Sequence, residues 1–242
     1  MNVKNAKDEI RQRIWNIMLE KKVARMPLPP HGRIPNFLNA EKAAENLRKL
    51  KDWKNAEIVK INPDSPQRAV RFNALKDQKI VIMPTPRIKE GFILLDPKKI
   101  PKNLYSRIST IKGALEFGEK LKTLEDLSKI ERVDLIVEGS VCVNVHGERL
   151  GKGEGYGELE FAIFFEIGLV EKDISIATTV HRLQILNDRL PQSPYDVPID
   201  YIVTSEEIIK TKRSERPCGI IWDLLDERKI KEIPLLGELR KI

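Results

Sequence analysis

Between Ala6 and Val23 the apolar residues Ile10, Ile14, Ile17 and Met18 recur every three or four positions among charged ones, the spacing that turns one helical face inward. The pattern predicts a helix over 6–23, with Lys7 and Arg11 one turn apart and so on the same side of it. Prolines break the period in MPLPPHGRIPNF, which reads as an irregular extended connection, and a helix resumes in AEKAAENLRKLKDW. Short β-branched runs follow: AEIVKI, QRAVRFNALKD, KIVIMPTP, VDLIVEGSVCVN and ISIATTVH. Strands apolar at nearly every position belong to sheets covered on both faces. Such runs, alternating with helical segments, predict a three-layer α/β protein with a mostly parallel sheet. IKTKRSERP, from Ile209 to Pro217, reads as a solvated turn, and 217–242 as a short strand with a closing helix.

At 242 residues, 41% hydrophobic and 33% charged, the chain can build one sizeable core, and a single domain over 1–242 is the expectation. It has no run of about 18 apolar residues for a membrane span, and MNVKNAKDEIRQRIW lacks the apolar centre of a signal peptide, which points to the cytoplasm. The net charge of +7 is spread among many acids instead of forming a block, which favours an anionic small molecule over nucleic acid as partner. Cys142 and Cys218 stand far apart without a CxxC pattern, so buried structural thiols are expected, not zinc ligands or a disulfide.

Candidate chemistry concentrates in GERLGKGEGYGELEF, Gly147 to Phe161. A glycine-rich loop that follows a strand and opens a helix can turn backbone N–H groups onto phosphate. Gly151, Gly153 and Gly155 permit positive φ and close approach, Arg149 and Lys152 are placed to offset phosphate charge, and Glu158 to share a magnesium ion with it. A glycine-rich turn with no ligand is the alternative, because the stretch is neither a Walker loop nor a dinucleotide fingerprint. His181, ending the run TTVH, reads either as an acid–base group or as a structural histidine.

RLGKGEGYGELEF resembles the Leu-Gly-x-Gly-x-Gly-Tyr-Tyr-Asp loop of the 5-formyltetrahydrofolate cyclo-ligase family, also called methenyltetrahydrofolate synthetases. Lys7 and Arg11 in KDEIR match that family's N-terminal Lys-x-x-x-Arg pair, and YDVPIDYIVT its late Asp-x-x-Val-Asp-x-Ile/Val segment. HGRIPNF, VKINPDSPQRAVR, MPTPR and GKGEGYGELEFA are similar to the branch named for a methenyltetrahydrofolate synthetase domain. The resemblance implies the fold shared with ribose-5-phosphate isomerase and CoA transferases. It also implies a reaction in which ATP phosphorylates the formyl oxygen of 5-formyltetrahydrofolate and ring closure then expels phosphate. On that reading Lys152 and Arg149 are catalytic, while Lys7, Arg11, Gly151, Lys152, Gly153, Glu154, Gly155 and Tyr156 hold the nucleotide. Glu158 and Asp196 hold magnesium, and Arg33, Asn36, Gln67, Arg68 and Tyr156 border the folate or pterin.

Two departures from the family pattern stand in the sequence. Gly157 and Glu158 replace its Tyr-Asp, and NPDSPQRAVR, with Arg68 and Arg71, replaces its acidic folate-binding segment. Two further classes stay open at this point. One is an RNA-binding or regulatory protein, although no RNP-like aromatic string is present; the other is a sugar-phosphate enzyme on the same fold.

Overall fold

The computed structural model describes residues 2–241. Eight strands form the main sheet in the order Ile208–Lys210, Tyr201–Val203, Ser175–Thr179, Leu135–Glu138, Ile58–Ile61, Ile80–Pro84, Phe92–Leu95 and Glu119–Leu121. The five from Tyr201–Val203 to Ile80–Pro84 run parallel, and antiparallel strands finish both edges. The chain enters at Ile58–Ile61, builds outward through the next three strands, then crosses back to lay Leu135–Glu138 on the opposite side. Those two neighbours form the switch point of the sheet. Open α/β sheets take their ligands just beyond the carboxyl ends of such strands.

Alternation along the strands divides the core. Val59, Ile61, Leu135 and Val137 pack with Leu47, Trp53, Val70 and Leu75 on one face. On the other, Ile82, Ile136 and Ile176 meet Phe161, Ile163 and Phe164 of the helix Tyr156–Glu166, with Ile230, Ile233 and Leu235 behind it. Each such apolar side chain contributes about 1.5–3 kcal/mol when fully buried. A third cluster seats Ile14, Trp15 and Met18 of the N-terminal helix against Phe37, Cys142, Leu150 and Leu190.

Several elements differ from the sequence expectation. The N-terminal helix runs Val3–Glu20, starting earlier because the Asn2 side chain caps it by accepting from the Lys4 amide. AEKAAENLRKLKDW divides into helices Ala40–Leu47 and Lys51–Asn55. QRAVRFNALKD is not a strand but contains the helix Arg68–Lys76, whose Val70, Ala74 and Leu75 are buried at helical spacing. VDLIVEGSVCVN makes two strands. Leu135–Glu138 joins the main sheet, while Cys142–Asn144 pairs with Arg149–Leu150 and Ile185–Leu186 in a small one.

The expected strand after Pro217 is replaced by a 3₁₀ turn, Trp222–Leu224, and helices Glu227–Glu232 and Pro234–Leu239. The supposed solvated turn at 209–217 begins in the edge strand Ile208–Lys210 and buries Arg216. The Arg216 guanidinium donates to the carbonyls of Pro198 and Lys172 and pairs with Asp200. Of the two thiols expected to be buried, only Cys142 is, and desolvation pushes it up to about 12, whereas Cys218 is exposed.

Candidate functional site

The hairpin strand Arg149–Leu150 delivers the chain into the glycine loop, and Gly155 opens the helix Tyr156–Glu166. Gly153 and Gly155 have φ of +110° and +71°, the region that glycine enters without strain. No side chain caps this helix, so its first-turn amides lack the acceptor that an Asp or Ser would normally bring. Together with the helix dipole, those amides make an electropositive end.

Three buried cations line the cavity at that end. Arg11, only 6% exposed, donates from Nε to Gly151 O at 2.7 Å and from Nη1 to Asp8 at 2.6 Å. Lys7, one turn earlier and equally buried, donates to Asp196 and, at 2.9 Å, to Ser193 Oγ. Arg149 donates to Gly139 O at 2.8 Å and pairs with Glu158, while its Nε is a buried donor without a partner. Burial works against the Arg149 charge, but Glu158 and Glu138 outweigh it and hold the guanidinium above its ordinary range.

These groups line a cavity of about 420 Å³ between the N-terminal helix, the loop and residues 217–229. A smaller cavity of about 80 Å³ adjoins it at the switch point, sharing Arg149, Gly151, Glu154, Gly155 and Glu158 with it. At its floor is a cluster that sequence reasoning missed. Lys60, 1% exposed, is in ion-pair contact with both Glu138 and Glu160, and the Asn62 amide donates to Glu138 at 2.8 Å when its nitrogen is turned that way.

Two carboxylates on one ammonium leave a net buried negative charge. Desolvation, with Glu138 adding repulsion, raises Glu160 to about 7 even against the pull of Lys60. Glu138 goes the other way, because Lys60 and Arg149 outweigh its own desolvation and hold it below the usual range. Half-buried Asp64, in the wall of the same cavity, is pushed up by desolvation. The available signal was a single charge inside each of two otherwise apolar strands, IVKI and LIVE.

A family model for 5-formyltetrahydrofolate cyclo-ligases matches residues 3–205, from the N-terminal helix through the sheet. The chain belongs to that family. It is 36% identical over 248 residues to a methenyltetrahydrofolate synthase domain-containing protein of Danio rerio, with 100% of this chain and 63% of that protein covered. The Homo sapiens protein of the same name is 33% identical over 241 residues, with 97% and 61% covered. The chain thus spans under two thirds of the length of these relatives. Among solved structures, the 5,10-methenyltetrahydrofolate synthetase of Aquifex aeolicus covers 90% of this chain, and 99% of that chain is covered in turn. Its TM-score of 0.52 at 20% identity shows a shared fold.

The cyclo-ligase motifs converge in space. Lys7, Arg11, Arg149, Gly151, Gly153, Glu154, Gly155, Glu158 and Asp196 line the larger cavity, and Lys152 and Tyr156 line the smaller. The substrate candidates outside the loop do not join them. Arg33 is exposed, and the Asn36 amide is spent on Met26 O and the Phe37 amide. Gln67 is fully buried and donates to Thr179 Oγ1, while Arg68 bonds Ser106 at the surface. His181 caps the turn Arg182–Gln184 by accepting from the Leu183 amide, the structural option of its two readings, and desolvation keeps it below its ordinary value. No helix among the described residues is long and apolar enough to cross a membrane.

Proposed function

We propose that this chain is an ATP- and magnesium-dependent ligase of the cytoplasm, one domain over 1–242, that converts 5-formyltetrahydrofolate or a related formylated pterin to the 5,10-methenyl form. The observation that carries the reading is the uncapped helix N-terminus under two left-handed glycines, with Lys7, Arg11 and Arg149 gathered at it. Waiting donors of this kind, including the orphaned Nε of Arg149, fit a polyphosphate, which is all acceptor.

The donor set also fits magnesium arriving on phosphate. Among the described residues no three or more metal-binding side chains converge; Glu158 and Asp196, two of the carboxylates that line the cavity, would hold the metal on exchanging their pairing with Arg149 and Lys7. Magnesium carried by a nucleotide needs only one or two. Bound ATP supplies the phosphoryl group that turns the formyl oxygen into a leaving group. The protein's own work is electrostatic: Lys7, Arg11 and Lys152 offset charge on the phosphates, the loop amides fix their position, and Tyr156 borders the pterin.

The test is a spectroscopic assay for methenyl product with the intact protein, ATP, Mg²⁺ and 5-formyltetrahydrofolate. Product that requires all three supports the reading. Nucleotide binding without product would remove this substrate, and salt-sensitive RNA binding without nucleotide affinity would place the chain in another class.

A further inference from the structure

The family match ends at residue 205, yet one side of the larger cavity is built from residues beyond it, among them Ile220, Ile221, Leu224 and Lys229. This segment is firmly seated. Glu166, ending the loop helix, accepts the Ile220 amide at 2.8 Å, and a side chain at Gly219 would begin 2.3 Å from that carboxylate. Farther on, Glu238 accepts the Leu124 amide at 2.9 Å, and Ile233 and Leu235 are wholly buried.

Two features of the segment face the loop and the cavity. Lys229 donates to Glu154 O inside the glycine loop and stands 4.9 Å over the Tyr156 ring. Its ammonium is desolvated there despite nearby Glu158 and Asp226, which leaves it poorly compensated. Leu224 lines the cavity with 53% of its surface in water, alongside Ile220 and Ile221. The N-terminal helix and the loop bring charge and backbone to this cavity, whereas the segment brings apolar surface, one cation and the Asp226 carboxylate, which caps its own helix by accepting from the Arg228 amide. That combination matches a polyphosphate joined to a flat, weakly hydrated base.

We propose that residues 219–229 complete a nucleoside triphosphate site, Lys229 contacting the phosphates beside the glycine loop and the Ile220, Ile221 and Leu224 surface receiving the base. This rests on the nucleotide binding proposed above. Because the segment lies outside the residues matched by the family model, it sets nucleotide affinity through contacts that model does not include.

The experiment is calorimetric titration of the intact protein and of Lys229→Gln and Leu224→Ser with ATP and with inorganic tripolyphosphate, each with its thermal midpoint. Lys229→Gln is expected to weaken both ligands by about tenfold or more, the size of one charge-assisted contact. Leu224→Ser, an exposed change that leaves the fold intact, is expected to weaken ATP while tripolyphosphate binds as before. Parental ATP affinity in a folded Leu224→Ser protein overturns the base surface, and parental affinity for both ligands in Lys229→Gln overturns the cation. If Lys229→Gln fails to fold, the Leu224→Ser result decides. A parent protein that binds neither ligand removes the nucleotide reading itself, whereas a binding parent with unaffected variants removes only the segment's part in it.

Discussion

A side chain at Gly153 would begin 3.5 Å from the Arg11 guanidinium, an ordinary contact, so it is the φ of +110° that demands glycine there. Gly153→Val therefore costs strain on the order of 1–3 kcal/mol, less than the stability of most domains. We expect this variant to fold and to lose ATP affinity, because a branched side chain stands where phosphate would approach. Melting temperature and affinity measured on the same protein check this, and retained affinity would reduce the loop to a turn. Glu160 gives a second residue-scale prediction. Folded, it keeps its proton to about 7, whereas unfolded it releases it near 4.5, so between those values the native state binds more protons. Stability carried by this group is thus full below about pH 4.5 and declines as pH rises toward 7. Glu160→Gln, which mimics the protonated form, should match the parent at pH 5 and melt higher at pH 8, by about 2–4 °C for each kcal/mol relieved. A variant that melts lower at pH 8 would contradict the net negative charge assigned to the cluster.

Helix Tyr156–Glu166 joins both cavities, and Gly157 in its first turn lets it lie against the buried cluster. A Cβ there would sit 2.8 Å from Glu138 Oε2, and Lys60 and Asn62 pin that carboxylate in place. Gly157→Ala would normally favour a helix by up to about 1 kcal/mol; here we expect a net loss of about 1–3 kcal/mol from crowding, read by denaturant unfolding. A tyrosine at this position would meet the same carboxylate with its first side-chain atom. At this scale the sequence was most legible where one period governed a whole element. The strands Ile58–Ile61 and Ser175–Thr179 and the loop-to-helix junction at Tyr156 lie where their patterns place them, and the N-terminal helix keeps its predicted buried face with both ends shifted by three residues, Val3–Glu20 against 6–23. Reading failed where Val70 and Phe72, strand formers at alternate positions, sat in the helix Arg68–Lys76, and where Pro234 ended one helix and opened the next. The Lys60–Glu138–Glu160 cluster was invisible for another reason: its members come from two strands and a helix far apart in the chain. Only the topology of the sheet brings them together.

For the molecule as a whole, the sheet's switch point, the N-terminal helix and the segment after Pro217 meet at one place, the end of the helix that the glycine loop opens. Ion pairs balance charge locally there, Lys7 with Asp196, Arg11 with Asp8 and Arg149 with Glu158, as they do where Arg213 and Arg216 share Asp200 and Arg48 bridges Glu45 and Asp77. What sets the place apart is the uncapped helix end, whose first-turn amides, with buried cations beside them, suit a small anion. The most direct measurement is backbone hydrogen exchange over the full chain with and without MgATP. Added protection is expected in three separate stretches, 3–12, 151–158 and 217–229, with the far sheet edge at 92–121 unchanged. Unaltered exchange in 151–158 at saturating nucleotide, or protection confined to other surfaces, would contradict nucleotide binding at this site.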